Sequence, residues 1–171
     1  MKSIILKQHD ILALKEGRKT QHRGVVKFNK RLVKDFFDDK SASESSPYKI
    51  GELVKVNELI AGTFGCKKTP ANFVKRAFSL TLEITGVRVE RVQDISEQDA
   101  ILEGVESWLD FLPNDFRKLR GILCDNYHAI QYRQMWQSIN GKDSWEANPW
   151  VWVLDFIAHN KNIDEVINEK A

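Results

Sequence analysis

Cysteine, proline and methionine are scarce in this chain: two, four and two among 171 residues. Cys66 and Cys124 stand far from each other and neither belongs to a CxxC or a closely spaced Cys/His cluster, so neither a disulfide framework nor a cysteine-based zinc site is expected. His9, His22, His128 and His159 are scattered, with no two at ligand spacing on a helix, and no metal or other cofactor is expected. Long apolar runs are missing too. Runs such as residues 3–6 and 151–154 fall far below the roughly 20 residues of a membrane span, and Lys7 closes the first run before a signal-peptide core can develop. The expectation is a chain with reduced thiols, no membrane partner and a cytoplasmic location. A surplus of charge is also lacking. The formal net charge is +2, whereas a strong binder of long nucleic acids carries a pronounced basic patch.

What is present is an ordinary globular composition, 42% hydrophobic and 29% charged, enough for one core. One domain is expected over residues 1–160, followed by a polar tail at 161–171 that forms at most a loose helix. Residues 27–50 turn polar, with a serine-rich centre at 41–46, and read as a mobile loop insertion. Basic residues concentrate between Lys15 and Lys34, which suits a short or single-stranded ligand better than a long duplex. Ile11, Leu12 and Leu14 predict a short helix with Asp10 as N-cap and Gly17 as a left-handed C-cap. An extended segment follows over 18–26. Alternation predicts strands at 52–58, 78–84 and 87–92, the last two separated by a bend or bulge at Thr85-Gly86. Ser96 and Asp99 have capping-box spacing before a helix that Gly104 ends. A longer helix is expected from about Leu123 to Ile139, with Ile130 and Trp136 on its buried side, and a final aromatic and β-branched strand over 149–156. The fold class is therefore α+β, with a sheet that curls on itself.

Four blocks, in order, resemble the ASCH-domain family: Ile11-Leu12-Ala13-Leu14-Lys15-Glu16-Gly17-Arg18-Lys19-Thr20-Gln21, Gly51-Glu52-Leu53-Val54-Lys55-Val56-Asn57-Glu58, the segment from Ile95 to Gly104, and the ending from Trp136 to Val153. The last is similar to small members from bacteria, prophages and phages. The resemblance implies a PUA-like small β-barrel with flanking helices and a cleft around Gly17-Arg18-Lys19-Thr20 that takes single-stranded RNA or a modified nucleoside. It also implies alternatives: a hydrolase, acting either like the N(4)-acetylcytidine amidohydrolases or as a metal-independent ribonuclease, or a prophage accessory protein that binds a host protein. The amidohydrolase branch uses a lysine, a threonine and a glutamate. By motif the lysine falls on Lys19 and the glutamate on Glu103, while the threonine's place is taken by His22.

Lys19, His22 and Glu103 are accordingly the catalytic candidates, and Arg18, Lys19, Thr20, Arg23, Glu58 and Trp145 the RNA- or nucleoside-binding ones. Lys19 stands between Arg18 and Arg23, and neighbouring positive charge favours a neutral amine that can act as a base. Glu103 falls in the last turn of its helix, where the dipole makes a carboxylate slightly unfavourable. Histidine moves protons where threonine would attack, so His22 changes the mechanism rather than merely the residue. In a regular strand Lys19 and His22 point to opposite faces, and only a bend brings both into one cleft. Trp150 and Trp152 share a face and are expected inside, which leaves Trp145 as the exposed stacking surface.

Overall fold

The computed structural model describes residues 2–26, 46–60, 74–106 and 126–170. Strand β1 (Ser3–Leu6) leads into helix α1 (Gln8–Lys15) and then strand β2 (Gln21–Val25). Asp10 is not the N-cap. Lys7 holds that position, and Asp10, three residues on, turns back so that one carboxylate oxygen accepts the Lys7 amide at 3.3 Å. Ile11 and Leu14 supply the buried stripe, spaced as one helical face requires.

In β3 (Leu53–Ile60) Val54 and Val56 are fully buried while Lys55 and Asn57 are half-buried, the alternation of a strand with one face on the core. The two strands read at 78–84 and 87–92 are one, β4 (Val74–Arg91). Its register against the last strand shifts between Ile84 and Gly86. Leu80, Leu82 and Ile84 face the core before the shift and Val87 and Val89 after it, so the inward set changes from even to odd numbers, as one extra residue demands. A side chain at Gly86 would lie 2.7 Å from an Asp155 carboxylate oxygen, which would have to shift to admit it.

A 3-10 turn (Val92–Asp94) precedes α2 (Glu97–Leu102), which Ser96 caps by accepting the Asp99 amide at 3.0 Å. Helix α3 (Tyr127–Asn140) buries His128, Tyr132 and Trp136, four residues apart on one stripe. Ile130, expected inside, is 44% exposed because it falls off that stripe. The Glu97 carboxylate of α2 closes the start of α3 by accepting the amides of His128 at 2.9 Å and Ala129 at 3.0 Å.

Among the described residues, strand β5 (Trp150–His159) completes a five-stranded sheet of order β1-β3-β4-β5-β2, in which only the β1–β3 pair is parallel. With four α-helices among the described residues this is a mixed α+β architecture. Trp152, Leu154 and Phe156 point into the core shared with α1, whereas Val151 and Val153 meet Tyr132, Trp136 and Trp145 on the other side. Trp150 is only half-buried and carries the Arg91 guanidinium 4.1 Å above its ring. The tail is more than a loose helix. It forms α4 (Ile163–Lys170), whose Ile163 and Val166 are 2% exposed, packed on β4 and β3. Among the described residues no helix is long and apolar enough to cross a membrane. The polar segment at 27–45, most of the expected loop insertion, lies outside the described residues.

Candidate functional site

Two helix ends meet to make the site, and both end the same way. After α1, Gly17 adopts a φ of 72°, its amide bonds to Leu14 and the Arg18 amide reaches back to Ala13 at 2.9 Å. After α2, Gly104 adopts a φ of 80°, with its amide on Ile101 and the Val105 amide on Ala100. Each is a left-handed turn that satisfies the last carbonyls of its helix. The turns abut: a side chain at Gly104 would sit 2.9 Å from the Ala13 methyl and 3.0 Å from the Lys19 β-carbon. That closeness lets Lys19 pair with Glu103 as an isolated antiparallel bridge, flanked by a Thr20 amide bond to the Leu102 carbonyl at 2.9 Å.

The side chains of the bridged pair meet as well. Lys19 Nζ donates to a Glu103 carboxylate oxygen at 2.7 Å and to the Glu103 carbonyl at 2.9 Å, and lies 3.2 Å from Asp10 Oδ1. Lys19 and Glu103 side chains are 1% and 2% exposed. This corrects the expectation of a neutral amine. Burial does favour the uncharged form, but Glu103 and then Asp10 outweigh it and hold the Lys19 pKa above its ordinary value. The same contact keeps the Asp10 carboxyl below its usual range, against the opposing effect of burial. Lys19 is therefore a fixed ammonium whose three hydrogens are engaged by Glu103 and Asp10; its charge, rather than a free hydrogen, is what it can bring to a polarised carbonyl or an oxyanion, and it is not a resting base.

These groups form the floor of a cavity of about 260 Å³. Leu6 of β1 and Val25 of β2, the two edge strands of the sheet, both line it, together with Tyr132 and Trp136 of α3. Lys19 and His22 line it together. The bend that this requires is present: Lys19 sits in the bridge before β2 begins, so the two residues do not share one regular strand. Desolvation first and the Lys19 charge second push the His22 pKa below its ordinary value, which leaves a neutral imidazole at neutral pH. Burial and then the nearby Glu103 charge raise the Tyr132 phenol well above its ordinary value. Two buried donors, Arg23 Nε and Trp136 Nε1, have no hydrogen-bond partner among the described residues, and both belong to side chains in this cavity's wall. An unmet buried donor costs about 1–3 kcal/mol, so a pair of them on one cavity is a marked concentration.

The other sequence candidates fare differently. Arg23 is not a surface cation: its side chain is wholly buried, with Glu90 at 3.1 Å, Asp99 at 3.3 Å and Glu103 at 3.3 Å. Arg18 turns away from the cavity to Glu16, to Glu106 at 2.7 Å and to the Gly104 carbonyl at 3.1 Å. Thr20 serves through its backbone, its carbonyl accepting the Phe156 amide at 3.0 Å, and does not line the cavity. Glu58 pairs through its backbone with Leu6, and its side chain lies outside the described ones. Trp145 is no exposed platform. It is 9% exposed and packs edge-on against Tyr132 at 6.4 Å, because α3 covers the face of β5 beside it. Asp10, Tyr132 and Trp136 join the site without having been read as site residues. Asp10 carried one usable signal, a carboxylate in the first turn of a short helix that leads to a lysine, but capping explained it equally well. Among the described residues no group of three or more histidines, cysteines or carboxylates is placed to hold a metal ion.

No family model, no curated protein and no solved structure matches this chain.

Proposed function

We propose that this chain is an ASCH-type domain, its sheet a PUA-like barrel left open where β1 and β2 face each other, and that the opening binds RNA or a modified nucleoside. The observation that carries the reading is the meeting of Lys19 and Glu103 at 2.7 Å. They come from the first and third blocks of the resemblance, 84 residues apart, and they close on the floor of a cavity. Within this reading the geometry favours a nucleoside over a polynucleotide. The basic residues 18, 19 and 23 are each bound by carboxylates, so the floor offers little net positive charge for a phosphate chain. An uncharged base suits such a floor, and its ring acceptors could satisfy donors like Trp136 Nε1. Titration calorimetry with cytidine, uridine and N(4)-acetylcytidine, beside a single-stranded RNA over a salt series, tests this. Nucleoside binding with little salt dependence supports the reading. RNA binding with a steep salt slope and no nucleoside binding would show that phosphate contacts dominate instead.

A second reading is favoured by His22, a neutral imidazole on the same cavity as a fixed ammonium. In it the chain hydrolyses an amide such as that of N(4)-acetylcytidine. His22 takes a proton from water as the water oxygen attacks the acyl carbon, Lys19 steadies the oxyanion, and the proton passes from His22 to the departing amine as the carbon–nitrogen bond breaks. Chromatography of N(4)-acetylcytidine after incubation with the protein should show cytidine and acetate. Equal product from wild type and His22→Ala would remove this mechanism.

A further inference from the structure

Arg18 and Lys19 are adjacent in the chain yet open into different cavities. Lys19 enters the floor just described, while Arg18 borders a second hollow of about 410 Å³ between α1, the Gly104 turn and α3. The two hollows share Met135. Gln131, Gln134, Met135 and Ser138 fall at positions i, i+3, i+4 and i+7 of α3 and line the second hollow as one stripe. Apart from Met135 that stripe is made of amides and a hydroxyl, which donate and accept hydrogen bonds without carrying charge. Facing it, the Arg18 guanidinium is already balanced by Glu16 and Glu106, and the Gly104 carbonyl takes one of its hydrogens. The wall is therefore rich in hydrogen-bonding groups and carries no surplus positive charge. Phosphate would find its one cation occupied, and an apolar group would strand the amides unpaired. A hydroxyl-rich, uncharged group fits.

We propose that the two hollows are halves of one site, in which the second receives the sugar of a nucleoside whose base lies over Lys19 and Glu103. This rests on the nucleoside reading above. The first hollow alone is smaller than the roughly 300–1,000 Å³ usual for small-molecule sites, and joining it to the second brings the site within that range. Met135 is the partition. An unbranched side chain with three rotatable bonds can swing aside where a β-branched one could not, and Met135 is only half-buried.

The test compares nucleosides with their free bases, cytidine with cytosine and uridine with uracil, by titration calorimetry on wild type and on the double variant Gln134→Ala/Ser138→Ala. Both positions are exposed on α3, so the fold should persist, and circular dichroism checks that it does. Nucleoside affinity should fall about ten-fold with the loss of one or two hydrogen bonds, while base affinity stays unchanged. An equal change for nucleoside and base, or no change for either, overturns the sugar subsite and leaves the nucleoside reading standing. If wild type binds none of the four compounds, the nucleoside reading falls and the subsite falls with it.

Discussion

Lys19 meets Glu103 with both side chains almost wholly out of solvent, 1% and 2% exposed, whereas Lys161 meets Glu169 with both about half in water, at 49% and 58%. The chemistry of the two pairs is identical and their surroundings are not. In water the Coulomb gain is screened and two flexible side chains must be ordered to collect it, so an exposed pair adds little. In the floor of the cavity the charges have left water, and each is tolerable only because the others are there: removing one strands its partner. A chain that needed only stability would fill the floor with apolar side chains. The retention of three charged groups, Asp10, Lys19 and Glu103, beside an open cavity therefore speaks for chemistry or recognition.

That contrast can be broken by mutation. Glu103→Ala leaves Lys19 with Asp10 as its one remaining carboxylate, and chemical denaturation should show a loss of about 3–5 kcal/mol. A loss below about 1 kcal/mol would mean that the buried pair behaves like an exposed one. A smaller effect is expected from pH. The His22 pKa is lower in the folded chain than its ordinary 6.5, so between that folded value and 6.5 the unfolded chain binds more protons, and stability must rise with pH across the window. The slope from one such group cannot exceed about 1.4 kcal/mol per pH unit, and His22→Gln should remove it. An unaltered profile in that variant would place the titration elsewhere. Lys19 acts on the alkaline side in the opposite sense: its raised pKa means that its contribution is complete below its ordinary pKa and is lost only as pH climbs through the raised value. The smallest effect belongs to Lys161→Ala, no more than about 1 kcal/mol by the same denaturation, and a loss approaching that of Glu103→Ala would erase the contrast altogether.

Much of the local structure was legible in the residues. The change of inward parity from Ile84 to Val87, with Thr85-Gly86 between them, marks the bulge in β4 directly. Gly17 and Gly104 announce the left-handed turns, and Ser96 with Asp99 announces the cap of α2. Misreadings arose where a local rule had a long-range competitor. Trp145 looked like an exposed stacking surface in a loop, yet α3 packs beside it. Residues 161–171 looked like a tail, yet Ile163 and Val166 find β4. The early basic residues looked like a weakly basic face for a short or single-stranded ligand, yet Arg23 collects Glu90, Asp99 and Glu103 from at least 67 residues away.

By itself the sequence determined the elements and their punctuation, because helix caps, glycine turns and strand alternation are settled within a few residues. It also marked Lys19 and Glu103 as candidates through ordered blocks. Only the tertiary structure decided what those residues are. The charge state of Lys19, the neutrality of His22 and the division of Arg18 and Lys19 between two hollows depend on burial and on partners distant in the chain. Electrostatic energy follows distance in space and the local dielectric, neither of which is written in the order of residues.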